Sequence, residues 1–407
     1  MYRLIPYIFP AFLLSPLSAA AAESEDVFEN LAQDLQEGGS STQHPSEESE
    51  PAPAVTTPSA MNPEIGVVLD VGAAWFSDED PLQSGAHDPT ENGFNLQQLE
   101  LSLRAPVDPY LRLDAFIVLG PEEVELEEAY GTTLDLPAGL QVRFGKFLTR
   151  FGRMNATHPH SWDFADQPFA LGRVFGGEAS RGLGTELSLL LPLPWYVELV
   201  ASATTATGAE SNRSFLGDAT RRVEGPEDLL FVTSVKQFHS LSDAWALLWG
   251  LSGAFGPNDN GPEGRSAIYG GDLFLKYRPL GPGATTQLRA QSEVFVRQRA
   301  VPRDVITDVS MYSQLALRFA QRWESALRYE YGSTPFSTEG RPVLDPQDPD
   351  WTDERHRVTA SLTHLPTEFS RFRLQGGWDR PQFRPDPIYS VMLTAELVAG
   401  AHGAHTY

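Results

Sequence analysis

The chain has 407 residues, carries a formal net charge of −24 and contains no cysteine. That balance excludes nucleic-acid binding, which depends on clustered lysine and arginine, and the missing cysteines exclude a disulfide framework and a lipoprotein anchor. A helical membrane protein needs about twenty consecutive apolar residues; past the N-terminal stretch the longest candidates, such as Leu187 to Trp195, fall far short, so a closed barrel is the remaining way to span a bilayer.

Residues 1–22 read as a signal peptide, with Arg3, an apolar region from Leu4 to Leu17 and a small-residue run from Ser18 to Ala22. Residues 23–62 hold nine acidic and no basic side chains among Ser, Pro and Gln. Such a composition buries too little apolar surface to offset the entropy of ordering. This acidic segment is expected to be disordered, to lie in the periplasm and to reach towards peptidoglycan or periplasmic partners.

Residues 63–407 read as an outer-membrane barrel. From Ile65 the chain breaks into stretches of about ten residues with period-two alternation. Between Leu96 and Ala105, for example, Leu99, Leu101, Leu103 and Ala105 share one face, while Gln98, Glu100, Ser102 and Arg104 share the other. The first face should meet lipid and the second the lumen. The expected fold class is all-β, a transmembrane antiparallel barrel of about sixteen strands. Short links such as 106–109, 192–194, 241–243, 279–284, 320–322 and 366–368 interleave with long ones at 77–94, 149–180, 208–227, 256–266 and 332–353. That parity places both termini in the periplasm and the long links outside; the links at 120–122 and 300–304 are short where long ones are expected.

A water-soluble sandwich shows the same alternation. The final stretch favours the barrel: Tyr389, Val391, Leu393, Ala395 and Leu397 alternate, and the chain closes on the aromatic Tyr407. Trp75, Trp195, Trp245, Trp249 and Trp378, near stretch ends, suit interfacial girdles in contact with outer-membrane lipid and lipopolysaccharide. Arg289, Gln291, Glu293, Arg297, Glu324, Arg328 and Glu330 are expected in the lumen.

The most distinctive segment runs from Gly145 to Gly177 and contains Asn155, His158, His160, Trp162, Asp163, Phe164, Asp166 and Pro168; the chain also ends in Gly-Ala-His-Gly-Ala-His before an aromatic. On these two motifs it resembles a group of Gram-negative outer-membrane proteins often labelled zinc-regulated or TonB-dependent receptors. A TonB-dependent transporter carries a plug ahead of about twenty-two strands, and residues 23–62 are too short and too polar for one, so the resemblance is to a porin-like, plug-less barrel. It implies a link to zinc supply, with His158 and His160 as imidazole ligands and Asp163 and Asp166 as carboxylate ligands for a transported or sensed Zn2+. No resident cofactor is expected. The competing reading has the same histidines hydrogen-bonded to Asp163 or Asp166, fixing a loop folded into the pore; His402 and His405 suit terminal strand packing.

Arg143, Arg150, Arg153 and Arg173, with Arg181, flank the same loop, and a row of arginines facing carboxylates sets ion selectivity at a pore constriction. Acidic links (Asp78, Glu79, Asp80, Asp88 and Glu91; Asp345, Asp348, Asp350, Asp353 and Glu354) raise local cation concentration or take calcium and lipopolysaccharide-bridging divalents. The functional expectation is a porin-like channel for small solutes or ions, including divalent metal, with an anion-selective porin or a closed structural or adhesive barrel as alternatives. A homo-oligomer fits by analogy with porins. No enzyme is expected: a hydrolase using His158 or His160 with Ser161 or Ser180 lacks a Gly-x-Ser-x-Gly motif.

Overall fold

The computed structural model describes residues 63–120, 124–208, 210–219, 223–261, 263–281 and 285–400. The signal-peptide and acidic-segment readings, and the terminal motif with His402, His405 and Tyr407, lie outside these residues.

Sixteen strands follow in chain order: β1 (Glu64–Phe76), β2 (Gly93–Asp108), β3 (Leu111–Leu119), β4 (Val124–Thr133), β5 (Leu140–Leu148), β6 (Arg181–Leu190), β7 (Tyr196–Thr205) and β8 (Leu229–Ser240). The second half comprises β9 (Trp245–Pro257), β10 (Arg265–Tyr277), β11 (Gln287–Val301), β12 (Asp304–Ala320), β13 (Trp323–Gly332), β14 (Arg355–Thr367), β15 (Ser370–Pro381) and β16 (Ile388–Gly400). Each pairs antiparallel with its neighbours in sequence, and β1 closes on β16 from Gly66 opposite Gly400 to Phe76 opposite Ser390. Closure leaves no unpaired edge, which a bilayer requires of any sheet that crosses it.

Alternation is oriented apolar-out. Leu187, Leu199, Leu251, Leu273, Leu315, Leu327, Leu362, Leu374 and Leu393 are exposed on the outer surface, whereas Gln291, Glu293, Arg297 and Arg299 of β11 are buried. A soluble sandwich would show the reverse, so the outer belt is built for lipid. Trp75, Trp195 and Trp378 are exposed as interfacial residues should be.

Among the register shifts of the described strands, two send adjacent polar side chains inward. Opposite Asp70 and Val71 of β1, β2 presents Gln98 and Leu96, leaving Gln97 as an extra residue. Opposite Phe116 and Ile117 of β3, β4 presents Glu128 and Leu126, leaving Glu127 extra. A bulge sends two adjacent side chains to one face, and here Gln97 with Gln98, and Glu127 with Glu128, are buried on the inside. The β4–β5 ladder is short, from Ala129 opposite Lys146 to Thr132 opposite Arg143. Beyond it side chains take over: Lys146 Nζ donates to the Leu126 carbonyl at 2.6 Å, and Glu128 Oε2 accepts the Leu148 N–H at 2.7 Å.

The apolar core lies inside the barrel. Residues 149–180, the link from β5 to β6, fold inward and include helix α1 (Phe169–Phe175), every residue of which is buried. Phe151, Met154, Leu171, Val174 and Phe175 pack with Phe215 and Leu216 of the β7–β8 link and with Val232, Ala254, Ile268, Phe295 and Tyr312 of the wall. Phe151 meets Phe175 edge-on at 5.0 Å between ring centroids and stacks on Phe295 at 6.0 Å.

Candidate functional site

The inward link is fastened to many strands. Gly152 N–H donates to Ser252 Oγ of β9, and Arg153 and Met154 N–H donate to the Glu293 carboxylate of β11. Further along, Phe169 N–H donates to Glu330, Arg328 donates to Asp166, Arg357 donates to the Gln167 carbonyl, and Arg371 and Arg373 donate to the Trp162 carbonyl. From the opposite side Gln97, turned inward by its bulge, donates to the Ala165 carbonyl.

The walls differ in charge. Strands β11 and β13–β15 supply the buried arginines Arg297, Arg299, Arg328, Arg355, Arg357 and Arg373, while β2 and β4 supply the buried Glu100, Glu127 and Glu128. The arginines are paired with acids close by, Arg297 with Asp308, Arg299 with Asp345, Arg328 and Arg357 with Glu330, and Arg355 with Asp379. Arg143, Arg150, Arg153 and Arg173 do not stand in one row. Arg143 and Arg150 share Glu186, and Arg150 also reaches Glu198. Arg153 lies over the Phe274 ring, Arg173 contacts Asp308, Asp348 and the Trp351 ring at the long-link end, and Arg181 pairs with Glu125 and Glu178. Burial lowers the Arg173 guanidinium to about 10.

The four residues read as zinc ligands do not come together. Asp163 is held by Arg289 and Gln314, and Asp166 by Arg328, Arg357 and Gln375. Both carboxylates thus serve as counterions on the arginine side. His158 and His160 do sit together, their rings stacked at 5.6 Å, on a 3-10 turn over Pro159–Ser161 rather than in extended chain. Their acidic neighbours come from the wall: His158 Nε2 is 2.9 Å from Glu128 Oε1, and its Nδ1 is 3.3 Å from Glu100 Oε2 and 3.5 Å from Glu127 Oε2. His160 Nδ1 is 3.4 Å from the same Glu100 oxygen. On the far side of Glu127, His87 Nε2 lies 2.9 Å from Glu127 Oε1 and 3.4 Å from Glu178 Oε1. Burial works against charge on both rings, but the surrounding carboxylates prevail. His158 is raised well above the ordinary imidazole range by Glu100, Glu127 and Glu128, and His87 is raised to about 9 by Glu127, Glu178 and Glu125.

Three cavities line up on this side. One of about 560 Å3 opens at the short-turn end, lined by Glu64, Glu100, Arg112, Glu128, His158 and Tyr196 among others. Another of about 770 Å3 lies at the long-link end beside Arg173, Glu210, Arg213, Asp348 and Trp351. Between them is a space of only about 40 Å3 that touches His87, Glu127, His158 and Glu178. It shares Leu148, Thr157 and His158 with the first cavity and Gly177 with the second.

The acidic links are less solvated than their composition implied. Asp345 and Asp348 are buried against Arg297 and Arg299, and Asp88 is buried, accepting the N–H groups of Gly85 and Gln167. Neither serine considered for hydrolysis pairs with an imidazole: Ser161 Oγ donates to the His158 carbonyl and Ser180 Oγ to Asn212.

No established family model matches the chain. A protein of Aquifex aeolicus described as uncharacterized is 31% identical over 390 residues, covering 86% of this chain and 80% of the relative. The chain belongs to that protein's family. Among solved structures it is similar to the outer-membrane channel DcaP of Acinetobacter baumannii (11% identity, 83% of this chain and 97% of that one, TM-score 0.55). It is similar also to OprB of Pseudomonas putida (10%, 84% and 94%, TM-score 0.57) and to an anion-selective porin from Comamonas acidovorans (10%, 83% and 99%, TM-score 0.54). At these identities what is shared is the fold. With its apolar belt and closed ladder, this family member is a bacterial outer-membrane β-barrel of porin-like architecture. None of these three structures is described as a zinc-regulated or TonB-dependent receptor, so the resemblance holds at the level of the barrel.

Proposed function

We propose that the chain is a porin-like channel with no catalytic role, whose lumen passes ions rather than large solutes and favours cations. The observation that carries this reading is the row of three neighbouring cavities that share lining residues, the narrowest flanked by Glu127, Glu178, His87, His158 and Arg181. A space of about 40 Å3 holds a few waters at about 10–15 Å3 each, the scale of a partly hydrated ion. The arginines of the inner cavity favour anions less than their number implies, since Arg104 and Arg112 share Asp114 while Arg143 and Arg150 share Glu186. At the narrowest point Glu127 and Glu178 face His87, His158 and Arg181, so the excess of carboxylates over the chain, a net charge of −24, sets the sign of the preference by raising the local cation concentration. On this reading the long links face the exterior and the short turns the periplasm.

The test is planar-bilayer conductance of the refolded chain under a potassium chloride gradient. Channels with a cation-favouring reversal potential, weakened in Glu127→Gln, support the reading. Absence of conductance refutes it in favour of a closed structural barrel, and an anion-favouring potential replaces it with the anion-selective alternative.

A further inference from the structure

Two groups of metal-type ligands meet at Glu127. In the first, His158 Nδ1, Glu100 Oε2 and Glu127 Oε2 face one another, with the histidine nitrogen 3.3 Å and 3.5 Å from the two oxygens. In the second, His87 Nε2 stands 2.9 Å from Glu127 Oε1 and 3.4 Å from Glu178 Oε1. Bonds of about 2.1 Å to a tetrahedral zinc ion put neighbouring ligand atoms about 3.4 Å apart. The two separations from His158 Nδ1, 3.3 Å and 3.5 Å, match that spacing, and the three ligand atoms all lie within 4.8 Å of one another.

A second, independent feature points into the first group. Glu100 is 1% exposed, yet its Oε2 makes no hydrogen bond, and neither does the His158 Nδ1 that faces it. A simple salt bridge would align an N–H on that oxygen. Instead the ring's other nitrogen, Nε2, lies 2.9 Å from Glu128 Oε1, so a cation that displaces the Nδ1 proton meets a ring already oriented by a carboxylate. Carboxylates in this role orient metal-bound histidines throughout metalloproteins. Phe116, stacked on His158 at 4.5 Å, holds the ring plane.

We propose that Glu100, Glu127 and His158 bind one divalent transition-metal ion such as zinc, and that His87, Glu127 and Glu178 bind a second, with the Glu127 carboxylate bridging the two. One imidazole and two carboxylates per ion select zinc-type cations over magnesium and calcium, which take oxygen ligands. Three protein ligands leave a position open for water, as in exchangeable rather than closed structural sites. The second site is the weaker, because Arg181 approaches Glu178 at 2.9 Å and Glu127 at 3.8 Å and competes there with a cation. This assignment stands on the ligand geometry and holds whether or not the barrel conducts.

The experiment is calorimetric titration of the folded full-length chain in detergent micelles, stripped with chelator, with zinc chloride and with magnesium chloride as control. Folding of each variant is checked by circular dichroism and heat-modifiable gel migration. Two zinc ions per chain are expected, the tighter lost in His158→Ala and Glu100→Gln and the weaker in His87→Ala. Because orienting partners alone are worth about 10–100-fold in metal affinity, Glu127→Gln should weaken both by at least about 100-fold. Cobalt(II) should give the intense visible absorption of a four-coordinate nitrogen and oxygen site, abolished in His158→Ala. No zinc binding by the folded chain, or binding indifferent to Glu127→Gln and His158→Ala, overturns the proposal; a single ion indifferent to His87→Ala overturns the second site and the bridge.

Discussion

Replacing Asp166 by alanine should weaken the docking of the inward link without unfolding the barrel. Asp166 is buried, accepts hydrogen bonds from Arg328 at 2.8 Å and Gln375 at 2.7 Å, and lies 3.3 Å from Arg357. Removing one partner of a buried ion pair costs roughly 3–5 kcal/mol, because the remaining charge stays buried and uncompensated. Glu330 still pairs with both arginines, which places the loss near the lower limit, about 3 kcal/mol. At about 1.4 kcal/mol per factor of ten, the ratio of docked to undocked link falls by roughly a hundredfold. Asp163→Ala is the graded control: Arg289 keeps Glu324 as a partner, and the hydrogen bonds lost from Arg289 and Gln314 are only part-buried, so the cost is about 2 kcal/mol. Single-channel recording in planar bilayers, with limited proteolysis of the link in parallel, reads the outcome. Asp166→Ala should give larger, noisier conductance steps and faster cleavage between residues 149 and 180, with Asp163→Ala intermediate. Native-like conductance and protection in both variants would refute the anchoring argument.

Other perturbations test separate parts of the structure. Gly152 has φ +57°, and a Cβ there would lie 2.0 Å from Glu293 Oε2; Gly152→Ala should cost about 1–2 kcal/mol from backbone conformation alone and speed hydrogen exchange at the Arg153 and Met154 amides that Glu293 accepts. Leu251, outward-facing midway along β9 and 60% exposed, should tolerate no charge: Leu251→Arg is expected to lose about 2–4 kcal/mol in urea unfolding from lipid vesicles, whereas a leucine-to-alanine change at the same position should lose far less. Deleting Glu127 removes the extra residue opposite Phe116 and Ile117, so the barrel should still fold, with Glu128 inward and Leu126 outward, while zinc binding disappears in the same calorimetric titration.

The strands were legible because a barrel wall imposes one rule on every residue: alternate faces meet lipid and lumen. Leu99 and Leu101 against Gln98 and Glu100 display that rule in a single stretch, and all sixteen strands fall on the stretches the alternation marked out. The rule fails where a bulge inserts a residue. Glu127 and Glu128 are adjacent in sequence, so strict alternation sends one of them to lipid, and only the register opposite Phe116 and Ile117 shows both facing in. An acidic pair in the middle of an otherwise alternating strand was the available signal. The ligand set went astray for a related reason. His158 and His160 were legible as a pair, but nearness in sequence favoured Asp163 and Asp166 as partners, whereas Arg289 on β11 and Arg328 on β13, more than a hundred residues away, draw those carboxylates to the opposite wall. Contacts of that separation, such as Arg357 with the Gln167 carbonyl, leave no periodic trace in the sequence.

The way the inward link is fastened bears on how such a lumen is controlled. Its backbone is held by β9, β11, β13, β14 and β15 at once, so swinging it aside means rupturing several desolvated ion contacts together rather than one after another. An aperture set in this way at assembly behaves as a sieve and not as a shutter. On the proposed channel reading, passage would be decided by how long each ion dwells among the glutamates, and a cell would tune the flux by changing how many copies it inserts.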